Sequence, residues 1–195
     1  MTKSPLFVPC LIVLVGPPGS GKTTWARRNS RGAVLVSQDG LIDAITPDGF
    51  DHAYRPVYRE AEDAVARTAL RAGHTVIIDR TNRTRAHRER WVRIARQASG
   101  SAVAVVMTTP EQLCCERNAK RTAGRLSEER MERMLAALEP VRSGEGFACI
   151  HRETGMGPGI GLEELLSLAI LQDSSAIRQE RAAASPNRSV AIGEI

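Results

Sequence analysis

The chain has 195 residues, a net charge of +5 at neutral pH and 42% hydrophobic residues, which suits one globular domain and requires no second one. No stretch approaches the ~18 consecutive apolar residues of a membrane span, so no membrane partner is expected. Cys10, Cys114, Cys115 and Cys149 form no C-x-x-C pair and no zinc-type spacing with histidine, which leaves reduced, structural thiols as the expected state.

The chain begins MTKSPLFVPCLIVLVG, with one early lysine and a short apolar run. That run passes directly into GPPGSGKT at Gly16 to Thr23, so removing it as a signal peptide would remove the first strand. It is read as core sheet and the protein as cytoplasmic. The strand is Cys10 to Val15, and the segment after it fills every fixed position of the Walker A pattern G-x-x-x-x-G-K-[ST] before a helix from Lys22 to Asn29. Glycines let successive backbone N–H groups turn inward around phosphates, and the helix start adds its positive dipole end. Gly16, Pro17, Pro18, Gly19, Ser20, Gly21, Lys22, Thr23 and Thr24 are therefore expected to hold a nucleoside triphosphate. Lys22 would reach the β- and γ-phosphates and the Thr23 hydroxyl would ligate Mg²⁺.

Ala33 to Ser37 reads as the second strand and leads into Ser37-Gln38-Asp39. In parallel sheets ligands sit outside the carboxyl ends of the strands, so a carboxylate here can take a proton from an attacking hydroxyl. Asp39 is the expected general base; it also suits the cap of a short helix starting at Gly40, and both roles can hold. A helix from Pro56 to Ala72, closed by Gly73, precedes the third strand, Thr75 to Asp79. Asp79 ends an apolar strand in the manner of a Walker B acid on the metal side, the alternative being that Asp79 or Asn82 caps the next helix, Arg85 to Ala98. On that helix Glu89 and Arg93 stand at i,i+4 spacing.

The fourth strand, Ala102 to Met107, is followed by Thr109-Pro110-Glu111-Gln112, which reads as an N-cap and capping box for a helix from Pro110 to Arg121. Arg117 and Arg121 are four apart, so they are expected to share a face of that helix. Thr122-Ala123-Gly124 then offers a hinge before Arg125, and the three guanidiniums suit a lid over bound phosphates. Ser127 caps a helix from Ser127 to Leu138, and Ala148 to Ile150 is a short last strand. Gly155 to Gly161 holds four glycines and a proline, Leu162 to about Gln179 reads as an amphipathic helix, and residues 181–195 lack a period and are expected to form a mobile tail. The predicted architecture is α/β: a P-loop kinase-like, doubly wound parallel sheet of about five strands, with helices on both faces and a helical lid. It forms one domain over residues 1–180 with its core at 8–150.

With these pieces assembled, the chain resembles the P-loop polynucleotide 5′-hydroxyl kinase family, including the kinase modules of phage and bacterial end-healing enzymes. The likeness runs from about Leu11 to Ile150. It rests on GPPGSGKTTWA at Gly16 to Ala26, SQDGL at Ser37 to Leu41, IIDRTN at Ile77 to Asn82, RNAKR at Arg117 to Arg121 and EGF at Glu145 to Phe147. The resemblance implies ATP as donor, Mg²⁺ as cofactor and the 5′-OH of an RNA or DNA end as acceptor. It assigns Asp39 as base and Arg121 as the arginine that stabilises the transferred phosphoryl group. Two positions depart from the phage pattern: Gly40 replaces a second acid, and Ile42 replaces an acceptor-binding arginine, a task left to Arg55, Arg59, Arg83 or Arg85. Tyr54, Tyr58 and Trp91 are the candidate base-stacking platforms. The rival readings are a kinase of a small hydroxyl compound, similar to zeta-toxin-like proteins or antibiotic kinases, and a regulatory P-loop NTPase. Ligase and phosphatase partners would be separate chains.

Overall fold

The structure, a computed structural model, describes residues 9–157 and 159–183. Five strands, β1 (Cys10–Val15), β2 (Ala33–Ser37), β3 (Thr75–Asp79), β4 (Ser101–Met107) and β5 (Cys149–Glu153), form one parallel sheet in the order β2-β3-β1-β4-β5. The helices are α1 (Lys22–Asn29), α2 (Gln38–Ile45), α3 (Arg55–Arg71), α4 (Arg85–Gln97), α5 (Glu111–Ala119), α6 (Glu128–Ala136) and α7 (Leu162–Ala183).

All six residues of β1 are buried, because helices cover both faces of the sheet and the strand needs no polar alternation. Leu11, Val13 and Val15 pack with Ala66, Ala69 and Leu70 of α3 and Trp91, Val92 and Ala95 of α4. Cys10, Ile12 and Leu14 face the opposite way, onto Trp25 and Ala26 of α1 and Leu165, Leu166 and Ala169 of α7. Each fully buried large aliphatic side chain contributes about 1.5–3 kcal/mol, so this central strand is a main source of stability. The strand order also sets β1 between β3 and β4. The loop after β1 is thereby flanked by the turns after both neighbours, at the point where the winding direction of the sheet reverses.

Element boundaries differ from the sequence reading where tertiary contacts intervene. β5 runs on to Glu153 because it pairs with β4 as far as Met107. The C-terminal helix continues to Ala183, past the expected end near Gln179 and into the stretch expected to be a tail; residues 184–195 of that tail lie outside the described residues. Gly73 does close α3, with φ +85 and its N–H donating to the Leu70 carbonyl at 2.9 Å. Thr84, rather than Asp79 or Asn82, caps α4, its hydroxyl accepting from the His87 N–H at 3.3 Å. Asn82 takes a left-handed conformation, which Asn tolerates better than other L-residues. Its amide donates to the Leu14 carbonyl at 2.7 Å and accepts from the Trp91 indole at 2.9 Å, tying β1, the β3–α4 turn and α4 together. Glu89 and Arg93 form no ion pair among the described residues. All four cysteines are free, and no described helix is long and apolar enough to cross a membrane.

Arg88 of α4 carries its charge into the interior. The Arg88 side chain is 0% exposed, and its guanidinium donates to both oxygens of Glu145 at 2.6 and 2.7 Å. Its remaining N–H groups reach the carbonyls of Asn82, Arg83, Glu139 and Pro140 at 3.1–3.3 Å. Burial opposes the charge on Glu145, yet the hydrogen bonds from Arg88 and the Arg142 amide outweigh it and hold this carboxyl below the ordinary glutamate pKa. The stabilisation is complete above the unfolded value of about 4.3 and is lost as acid lowers the pH through the native value. Glu145→Ala leaves a buried guanidinium without its counter-charge and is expected to cost about 3–5 kcal/mol. The check is a urea titration, in which the midpoint falls with little change in slope. A loss below about 1 kcal/mol would mean that the pair contributes no more than a surface one.

Candidate active site

The loop after β1 closes on itself and on its neighbours. The Gly16 N–H donates to the Thr81 carbonyl at 3.1 Å, and Ser20 N–H to the Pro17 carbonyl at 3.2 Å. Gly19 has φ +80, and a Cβ there would run into the Cys114 carbonyl, so both conformation and space demand glycine. Lys22 is buried, its ammonium donating to the Pro17 carbonyl at 2.7 Å and the Ser20 hydroxyl at 3.3 Å. The loop's own oxygens thus satisfy a cation that the motif aims at phosphate oxygens.

Burial pushes the Lys22 ammonium down to about 8; Asp79, Cys114 and Asp39 pull it upward, and Arg121 adds to the downward push. Three residues singled out from the sequence, Asp39, Asp79 and Arg121, therefore all act electrostatically on one ammonium. A consequence can be measured. Above pH 8 the free protein loses the Lys22 proton, and a polyphosphate anion restores it, so nucleotide binding takes up a proton. Affinity is expected to weaken toward ~10-fold per pH unit above 8. Calorimetry at pH 9 in buffers of different ionisation enthalpy should show uptake near one proton, and buffer-independent heats would contradict the assignment.

Asp79 is buried at the end of β3, where burial raises its pKa while a hydrogen bond with Thr23 and the Lys22 charge work against the rise. A hydroxyl and a carboxylate side by side at the start of the P-loop helix make a hard-oxygen pair. That pair fits Mg²⁺, which is commonly held by one or two protein oxygens plus phosphates.

Ser37 caps α2, accepting from the Gly40 N–H at 3.4 Å, and the helix starts at Gln38 rather than Gly40. Asp39 is therefore not the cap; it lies exposed in the first turn of α2, with its carboxylate free of that duty. The parallel register Ser37↔Asp79 sets the turn carrying Asp39 beside the one carrying Asp79. Ile42 is buried and forms part of the core.

The arginine-bearing segment departs from the sequence expectation. Helix α5 ends at Ala119, so Arg121 lies in the following loop and shares no helix face with Arg117. The cause is Asn118: its amide donates to the Leu126 carbonyl at 2.9 Å and accepts from the Leu126 N–H at 3.1 Å, pinching the base of that loop. The Arg117 guanidinium donates to the Gly19 carbonyl at 3.1 Å and to the Gly155 carbonyl at 3.2 Å. It braces the P-loop and is not a free lid group. Arg121 is exposed and lines a cavity of about 380 Å³ together with Lys22, Thr23 and Thr24. Arg125 is exposed and stands outside that lining.

The far wall of the cavity went unrecognised in the sequence. It is made by Glu153 at the end of β5 and by Gly155 and Gly157 after it, with Arg28 donating to the Gly157 carbonyl at 3.2 Å. Glu153 shapes this loop by accepting from the N–H groups of Thr154 at 3.0 Å and Ile160 at 3.1 Å. Thr109 does not cap α5; its hydroxyl lies 2.8 Å from the carbonyls of both Ser20 and Thr154 and ties the P-loop to this wall. Four glycines directly after the last strand were the available signal, because the carboxyl-end rule applies to β5 as it does to β2 and β3.

A phosphate-cradling loop at the switch point, carboxylates after β2 and β3 and an arginine-bearing loop after β4 together define a P-loop kinase fold. The sequence matches the AAA_33 family, described as an AAA domain, over residues 11–141, and the chain belongs to that family. It is 31% identical to Transcription factor bHLH140 of Arabidopsis thaliana over 72% of the chain, spanning 15% of that protein. It is 39% identical to a shikimate kinase of Rhodococcus erythropolis over 35% of the chain, spanning 49% of that protein. Among solved structures it superposes on a chain of the Pnkp1/Rnl/Hen1 RNA repair complex with a TM-score of 0.60 and 25% identity, covering 67% of this chain and 44% of that one. The chain thus spans less than half the length of each of these three proteins.

Proposed function

We propose that the chain is an ATP-dependent polynucleotide 5′-hydroxyl kinase in which Asp39 is the general base and Arg121 the lid arginine. The observation that carries the phosphotransferase reading is that Lys22, Thr23 and Arg121 line one cavity, while the register Ser37↔Asp79 sets the turn of Asp39 beside that of Asp79. When bound, magnesium ATP supplies the electrophilic phosphoryl group and the neutralising cation. Lys22 would exchange its loop carbonyl for phosphate oxygens. Thr23 and Asp79 would hold the cation, and Gly16 to Gly21 would hold the phosphates. Asp39 accepts the proton of the incoming hydroxyl, and Arg121 places positive charge where the transferred oxygens gain negative charge.

The polynucleotide acceptor is supported by the RNAKR segment and by the 25% identity to a chain of the Pnkp1/Rnl/Hen1 RNA repair complex, and the same reading takes a ligase or phosphatase, as separate chains, for partners. Of the three candidate base platforms, Tyr58 and Trp91 are buried, while Tyr54 is 46% exposed and is joined by Phe50 at 48%. The match to a shikimate kinase favours a second reading, a kinase of a small hydroxyl metabolite. The test is transfer from γ-labelled ATP to a 5′-OH oligonucleotide, to the same oligonucleotide already 5′-phosphorylated, and to shikimate. Label on the first alone is the expected result; label on shikimate alone would move the assignment to the small acceptor.

A further inference from the structure

Helix α4 and the segment that leads toward β5 run side by side. At the first turn of the helix the Glu139 N–H donates to the Arg83 carbonyl at 2.8 Å, and the Glu139 carboxylate accepts from the Arg85 N–H at 2.6 Å. Further along, Glu145 meets Arg88, and Gly146 lies against Val92 and Arg96 near the end of the helix. A groove of about 530 Å³ follows this seam, with Arg85, Glu89, Arg93, Arg96, Gly144 and Gly146 in its lining. The helix has 13 residues and so spans about 20 Å. Its first turn follows β3 at the carboxyl edge of the sheet, so the groove starts on the side of Asp79 and leads away from it.

The cations of this groove are uncommitted. Glu145 gives both carboxylate oxygens to the buried Arg88. The side chains of Arg85, Arg93 and Arg96 are exposed and make no hydrogen bond or ion pair among the described residues, and Glu89, the other acid of the lining, pairs with none of them. Three guanidiniums therefore stand against one carboxylate. Arg93 and Arg96 are three apart and are neighbours on the helix surface. Arg96 is held in place by shape: a Cβ at Gly146 would run into its Nη2 and lie 3.2 Å from its Cζ and 3.1 Å from Cγ1 of Val92. Gly146 has φ +89, so its conformation and the guanidinium lying over it both demand glycine.

We propose that this groove is a second nucleic-acid contact, remote from the reacting end, in which Arg93 and Arg96 each hold a backbone phosphate of the strand that continues from the acceptor terminus. The planar guanidinium fork matches phosphate oxygens in bidentate fashion, and contacts of this kind position a strand without reading its sequence. A small acceptor has nothing to place along a 20 Å helix, whereas a polymer with a phosphate at every residue does. The charged lining also suits a polyanion better than an apolar protein segment. That the strand comes from the acceptor rests on the polynucleotide reading above, while the preference of the groove for a polyanion is set by its own charge.

The test uses the full chain saturated with ADP and Mg²⁺, so that the P-loop is filled, and measures binding of a 5′-phosphorylated, 3′-fluorescein octathymidylate by anisotropy over a range of salt concentrations. The slope of log affinity against log salt should become shallower by about 0.7 in Arg93→Gln or Arg96→Gln and by about 1.4 in the double variant, the loss of one and two phosphate contacts to a single strand. Arg96→Lys keeps the charge and should keep the slope. An unchanged slope in the double variant overturns the groove, and equal affinity for a glutamate octapeptide overturns its assignment to a nucleic-acid strand. In transfer assays KM should be lower for 5′-OH octathymidylate than for the dinucleotide, and the double variant should lose that advantage of length. If octathymidylate is phosphorylated with the same KM in the double variant as in the wild type, the groove is refuted and the polynucleotide reading stands. If the labelled strand binds with the expected slopes but no 5′-OH oligonucleotide is phosphorylated, the groove is supported and the polynucleotide kinase reading fails.

Discussion

Asp39→Asn is expected to lower the phosphotransfer rate by ~10²–10⁴ while nucleotide affinity stays nearly unchanged. The separation follows from where Asp39 sits. Ser37 caps α2, so the Asp39 carboxylate is not needed to start the helix, and the side chain is exposed rather than packed. The amide keeps the shape and removes the proton acceptor. Nucleotide affinity measured by calorimetry and turnover measured by label transfer therefore respond differently. A large loss of affinity together with turnover would make Asp39 a structural element of the loop, and near-normal turnover would remove it as the base.

Arg121→Ala is expected to lower kcat by ~10³, the scale of an arginine that stabilises the transferred phosphoryl group. Its neighbour supplies the control. Arg117 holds the Gly19 and Gly155 carbonyls together, so Arg117→Ala should loosen the P-loop and raise the nucleotide dissociation constant more than it lowers kcat. Arg121 lies in a loop pinched by Asn118 and Leu126 and lines the cavity without bracing it. Arg121→Lys keeps the charge but not the planar fork, and should recover only part of the rate. Single-turnover kinetics separates these cases, and near-normal turnover of Arg121→Ala would remove it from the reaction.

The sheet was legible because its strands are buried on both faces, which forces unbroken apolar runs such as CLIVLV and TVIID. The P-loop was legible because its chemistry needs particular residues at fixed spacing. Asp39 and Asp79 followed from the position of ligands at strand ends. What escaped was set by contacts distant in sequence. Thr109 looks like a helix cap until its hydroxyl is seen to reach Ser20, 89 positions away. Helix α5 looks continuous to Arg121 until Asn118 turns to Leu126. Trp91 and Tyr58 look like stacking platforms, but their places on α4 and α3 face the interior.

The central claim, that this site transfers a phosphoryl group to an acceptor hydroxyl, is tested most directly by following ADP release and label together, with and without a 5′-OH oligonucleotide. The account predicts that ADP appears at an appreciable rate only when the oligonucleotide is present, with one label on a 5′ end for each ADP formed. ADP release at the same rate without any acceptor, and no label on the oligonucleotide, would contradict it and make the protein a nucleotide hydrolase.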